Sequence, residues 1–132
     1  MVNITTVKQS NARYANEQHA GLVCVFVGAT SGIGASTLEK MVQMLPKCTF
    51  YVLGRSEARL ASLRMRLERL NPSCTVVPIQ AEVALVSDID VACKHIMAAE
   101  RKVDYLYMSA GFVPQNGAEC MSSSITRVVR FY

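Results

Sequence analysis

Leu22-Val-Cys-Val-Phe-Val27 runs directly into Gly28-Ala-Thr-Ser-Gly32-Ile-Gly34, and this stretch decides how the chain is read. A continuous apolar, valine-rich run makes a strand covered on both faces. The glycines then make a turn. Ala35–Leu45 follows with Leu38, Met41, Val42 and Leu45 at helical spacing, until Pro46 stops it. A strand, a glycine turn and a helix N-terminus in that order bring backbone N–H groups against a pyrophosphate. The competing reading is a glycine turn that only redirects the chain.

The same alternation continues outward. Cys48–Leu53 reads as a second strand, and Ser56–Leu70 as a helix with Leu60, Leu63, Leu67 and Leu70 as its core stripe, ended by Asn71-Pro72. Cys74–Ile79 is the third strand. Ser87 then reads as a helix N-cap, with Asp90 completing a capping-box-like pair. That helix runs to Glu100 and buries Ile89, Ala92, Cys93 and Ile96. Val103–Met108 is the fourth strand, ended by Ser109-Ala-Gly111. Strands alternating with helices mean a parallel sheet with right-handed crossovers. Residues 1–20 are a polar prelude with room for a short helix. Residues 21–116 form one domain, and residues 117–132 an irregular tail.

Composition removes other classes. The 132 residues are one domain's worth, and 51% apolar with 18% charged residues describes a globular chain. Net charge is +4, with Arg55, Arg59, Arg64, Arg66 and Arg69 as the local concentration. No aromatic residues interleave with these arginines, so they read as a solvated helix face and no nucleic-acid partner is expected. The five cysteines form no C-x-x-C pair, and with two histidines no zinc ligand set arises. Free thiols in a reducing compartment follow. No leader pattern and no membrane-length apolar run is present, so a cytoplasmic protein without membrane contact is expected.

The loop Gly28-x-x-x-Gly32-x-Gly34 resembles the cofactor loop of the short-chain dehydrogenase/reductase family. The resemblance implies an α/β, Rossmann-type parallel sheet, here the front half only, about four strands with flanking helices. Gly28 allows the tight turn, Gly32 lets backbone approach phosphate, and Gly34 permits close helix–strand packing. Thr30 and Ser31 add hydroxyl donors, Ile33 lies within the motif, and Ala35 onward supplies the positive helix end.

Cofactor choice turns on the end of the second strand. An NAD-preferring fold places an acid there for the ribose 2′-OH. This chain has Leu53-Gly54-Arg55-Ser56. A guanidinium can hold a 2′-phosphate and Ser56 can donate to it, which is similar to the NADP-preferring branch of the family. The plainer reading makes Arg55 the first exposed residue of a helix. Ala81-Glu82-Val83 stands where the family has an aspartate facing the adenine amino group; Glu82 is one methylene longer, or simply a loop acid. Met108-Ser109-Ala110-Gly111 stands where the family has Asn-Asn-Ala-Gly. Ala110 and Gly111 match and imply backbone near the ribose; the asparagines are gone.

Hydride transfer in the family needs a tyrosine and a lysine four residues later that lowers its pKa from about 10. Tyr14 is followed at four by Gln18, Tyr51 by Arg55, Tyr105 by Ser109 and Tyr107 by Gly111, and Tyr132 is the last residue. Ser122, Ser123 and Ser124 read as loop. No catalytic residue is assigned. The wording of the glycine stretch resembles fungal secondary-metabolite reductases. The expectation is therefore an NADP(H)-dependent oxidoreductase of a ketone or alcohol, truncated before its catalytic residues. The alternative is a non-catalytic nucleotide-binding or interaction module, or the product of a decayed gene. Val103–Met108 would then be an apolar sheet edge that invites oligomerisation or aggregation.

Overall fold

Four parallel strands lie in the order β3-β2-β1-β4 in the computed structural model, which describes residues 3–17 and 21–111. The helix α1 spans Ile4–Asn16. The strand β1 (Val23–Val27) leads to α2 (Gly32–Met44), and β2 (Thr49–Gly54) leads to α3 (Glu57–Leu70). The strand β3 (Thr75–Gln80) leads through α4 (Val86–Ala99) to β4 (Tyr105–Met108). Val25 lies beside Tyr51 on β2 and Leu106 on β4, so β1 is paired on both sides.

The period of two along the strands splits the core into two layers. Cys24 and Phe26 face one way, joining Phe50, Val52 and Val76 with Leu38 and Val42 of α2 and Leu60, Leu63 and Leu67 of α3. Val23, Val25 and Val27 face the other way, with Tyr51 and Leu53, under Ala92 and Ile96 of α4. Phe26 and Tyr107 stack across β1 and β4 with ring centroids 5.2 Å apart. Burial pushes the Cys24 thiol up to about 12. Among the described residues Cys24, Cys48, Cys74 and Cys93 form no disulfide, and the first three are buried. Among the described residues no helix is long and apolar enough to cross a membrane.

Several elements differ from their expected form. The prelude holds a helix of 13 residues, capped by the Asn3 side chain on the Thr5 N–H at 3.0 Å. The helix α2 begins at Gly32 rather than Ala35, because Gly34 occupies an ordinary helical position in its first turn. Leu70 ends the α3 stripe but is exposed, and Cys93 is exposed as well; Ile89 is only half-buried. The N-cap of α4 is Leu85, not Ser87. Asp88, not Asp90, anchors that end, accepting the Glu82 N–H at 2.9 Å. The expected tail 117–132, with Ser122, Ser123, Ser124 and the end of the 21–116 unit, lies outside the described residues.

The strand β4 is locked to β1 by one acid. Asp104 Oδ2 accepts the Val23 N–H at 2.9 Å, and its own N–H donates to Val23 O at 2.8 Å. Lys102 Nζ donates to its other oxygen at 2.7 Å. The lysine first, and the Val23 amide second, hold the Asp104 carboxyl below its ordinary 3.8. A depressed carboxyl pKa adds stability above the unfolded value and loses it as pH falls through the folded one. Asp104→Asn is therefore expected to lower the urea midpoint at neutral pH. The gap from wild type should close as pH drops below 3.8. A pH-independent gap would show that the carboxylate charge is not what locks the strand.

Candidate cofactor site

The sheet order reverses between β1 and β4, since the chain winds from β1 through β2 to β3 and then returns to the other side of β1. In open parallel sheets, ligands bind outside the carboxyl ends of the strands at that reversal. Gly28 ends β1 there. Its φ of 81° is left-handed, its N–H continues the β1–β2 ladder to Leu53 O at 3.2 Å, and its carbonyl accepts Ser109 Oγ–H at 3.1 Å. A Cβ on Gly28 would stand 2.5 Å from Ala110 N. The two strand ends thus meet backbone to backbone.

The next glycines act differently from one another. A Cβ on Gly34 would fall 2.8 Å from Gly28 O and collide with Ser109 Oγ, so Gly34 is a packing requirement. Gly32 is left-handed at φ 60°, and a Cβ there would meet nothing within 4 Å. Ser31 is the N-cap of α2 but makes no side-chain capping bond, unlike Asn3 on α1 and Ser56 on α3. The positive end of α2 therefore opens outward, and such an end attracts anions. Ile33 is 78% exposed beside it. A groove of about 880 Å³ opens here, lined by Thr30, Ser31, Gly32, Ile33, Lys40 and Arg66 among others. The Thr30 methyl leans on Gly54, where a Cβ would come within 2.8 Å of it.

Arg55 and Glu82 follow the ends of β2 and β3. Gly54 pairs with Gln80, and the Ala81 N–H donates to Gly54 O at 3.0 Å, so the two loops leave the sheet side by side. Arg55 Nη1 lies 3.7 Å from Glu82 Oε2. Ser56 Oγ accepts the Arg59 N–H at 3.4 Å, which caps α3 and leaves its O–H free to donate. Ala110 and Gly111 leave the end of β4, both exposed, and a Cβ on Gly111 would meet nothing within 4 Å.

Ten of the eleven anticipated residues follow strand ends or open α2, and Ser56 opens α3; together they lie along one rim of the sheet. Two residues escaped the sequence reading. Ser109, which stands where the family carries an asparagine, ties β4 to the glycine turn. Asp88 fixes the Glu82 turn, and its signal was an acid in a first helical turn. Among the described residues no three metal-ligating side chains cluster.

A parallel sheet with a glycine turn at its reversal point and an open helix N-terminus beside it defines the dinucleotide-binding class of fold. The particular family is also shown. The chain belongs to the short chain dehydrogenase family, whose sequence profile matches residues 22–131. An oxidoreductase of Emericella nidulans is 37% identical over 117 residues, 89% of this chain and 34% of that protein. The NmrA-like family domain-containing oxidoreductase notO of an Aspergillus species is 40% identical over 120 residues, 89% of this chain and 36% of that protein. The chain thus spans about a third of the length of these curated relatives. The fold resembles L-sorbose reductase from Gluconobacter frateurii complexed with NADPH and L-sorbose, at a TM-score of 0.64 and 21% identity. That match covers 80% of this chain and 38% of the other. Menthone neomenthol reductase from Mentha piperita matches at 0.62 and 25% identity, over 70% of this chain and 32% of its own.

The closest backbone approach yields a test. Gly28→Ala forces a left-handed alanine and a clash with Ala110 backbone, together costing about 2–5 kcal/mol. Gly111→Ala, with open space around it, is the control. Denaturant unfolding of the two variants checks this, and equal midpoints would remove the close approach as a constraint.

Proposed function

We propose that these residues form the NADP(H)-binding part of a short-chain oxidoreductase that moves hydride between the cofactor and a ketone or alcohol. The observation that carries the reading is Arg55, a 77% exposed guanidinium at the end of β2 with no acid in its place. It stands on the same rim as the glycine turn. The open space at Gly32 and the uncapped start of α2 support a fit to pyrophosphate. When bound, NADPH would supply hydride from nicotinamide C4 and NADP⁺ would accept it there. The chain's own residues do the holding. The first-turn amides of α2, with Thr30 and Ser31, take the phosphates. Arg55 and Ser56 take the 2′-phosphate with Glu82 beside Arg55, and Ala110 and Gly111 bring backbone to the ribose. The NADPH complex of the sorbose reductase supports this cofactor. The fungal relatives are oxidoreductases by name, and a substrate from secondary metabolism belongs to the same proposal. A reducing, cytoplasmic setting belongs to the same reading, in keeping with free Cys93 on the surface.

Titration with NADPH and NADH tests it. Charge-assisted hydrogen bonds contribute about 1.5–3 kcal/mol, so Arg55→Ala is expected to weaken NADPH about tenfold to a hundredfold and leave NADH unchanged. Unchanged NADPH affinity would take Arg55 out of the site.

Association is part of the proposal. The strand β4 has β1 on one side and, among the described residues, no strand on the other. Leu106 and Met108 are 62% and 65% exposed on it. Such an edge recruits another strand. The 132-residue chain is expected to elute as oligomers or aggregates on size exclusion. A monodisperse, cooperatively unfolding monomer would overturn that.

A further inference from the structure

The Arg55–Glu82 pair carries more than either residue does alone. The Glu82 carboxylate is held by its own turn. Its Oε1 accepts the Ala84 N–H at 3.4 Å, and its carbonyl accepts the Leu85 N–H at 2.9 Å. Its N–H is fixed by Asp88 Oδ2 at 2.9 Å, in the first turn of α4. That leaves Oε2 for Arg55 Nη1 at 3.7 Å. On the other side, Gln80 Nε2 donates to Arg55 O at 3.2 Å, so the backbone of the arginine is tied down while its side chain stays in solvent. A fixed acid faces a tethered but exposed cation.

We infer that Glu82 is a specificity-determining counter-ion of Arg55, which holds the guanidinium at the rim and competes with a 2′-phosphate for it. The inference rests on the proposed NADP(H) reading. A ligand carrying a 2′-phosphate must displace Glu82 from the guanidinium, and it also meets the carboxylate's repulsion. A ligand with a plain 2′-OH leaves the ion pair intact. Glu82 therefore moderates the preference that Arg55 creates. The magnitude is set by solvent screening: for exposed charges at this separation the effect is on the order of threefold to sixfold in affinity. Were Glu82 only an acceptor for the adenine amino group, its loss would weaken both cofactors alike. Were it only part of the turn, its loss would change neither.

Binding of NADPH and of NADH to the full chain is measured for wild type, Glu82→Gln, Arg55→Ala and the double variant. Glutamine keeps an oxygen for the Ala84 amide and removes the charge. Glu82→Gln is expected to tighten NADPH about threefold to sixfold and leave NADH within error. That gain should shrink in the Arg55→Ala background and fade in 1 M salt, where charges are screened beyond about 3 Å. Equal weakening of both cofactors, or no change in NADPH, overturns the inference while Arg55→Ala still shifts the NADPH-to-NADH ratio. An unaltered ratio in Arg55→Ala overturns the underlying cofactor reading instead. The salt dependence of NADPH binding by wild type gives a second reading. A salt slope equal to that of Glu82→Gln would count against charge competition.

Discussion

Everything at the rim depends on how closely the ends of β1 and β4 approach. Gly28 and Ala110 touch through their backbones because Gly28 has no side chain to hold them apart. The Ser109 hydroxyl then closes the gap with a bond to Gly28 O. Gly34 extends the same constraint to α2, whose first turn packs onto the Gly28 carbonyl only in the absence of a Cβ. Put side chains at these two positions and the helix N-terminus moves off the sheet. The open amides would then no longer face the space between the strand ends, where a ligand enters such a sheet.

The fold was largely legible because burial in a parallel sheet writes itself into local pattern. Both faces of β1 are covered, so it reads as an unbroken apolar run, and the four strands stand within two residues of their expected bounds. What local pattern missed has a common cause in tertiary contact. The start of α2 was placed late because Gly32 and Gly34 look like turn residues, yet Gly34 is helical and serves packing. Asp88 was passed over for Ser87 and Asp90 because its partner, the Glu82 amide, lies across the turn that precedes α4. Leu70 ends α3 beyond its buried stripe, and Cys93 lies beside the buried Ala92–Ile96 line on the outer face of α4, so both emerge into solvent.

The places of the rim residues at strand ends were legible in the sequence, but their relationship was not. Arg55 and Glu82 are distant in sequence and become neighbours through the β2–β3 register, in which Gly54 pairs with Gln80. A residue-by-residue comparison with the family assigns each a separate role. Only the register shows why the two side chains come within 3.7 Å of one another. The family assignment gives the site its context: this chain covers about a third of its curated relatives, the portion with the glycine turn and the strand ends.

The thiols offer a way to observe how this sheet comes apart. Cys24, Cys48 and Cys74 are buried in the layer beneath α2 and α3, near the starts of three adjacent strands, whereas Cys93 lies on the outer face of α4. A thiolate reacts and a protonated, enclosed thiol does not. An alkylating reagent should therefore reach Cys93 in the native protein. The three interior thiols become reactive when β1, β2 or β3 loses its cover. Their alkylation rates form a built-in clock for local opening at the end of the sheet opposite the glycine turn. Cys93 supplies the reference rate within the same molecule.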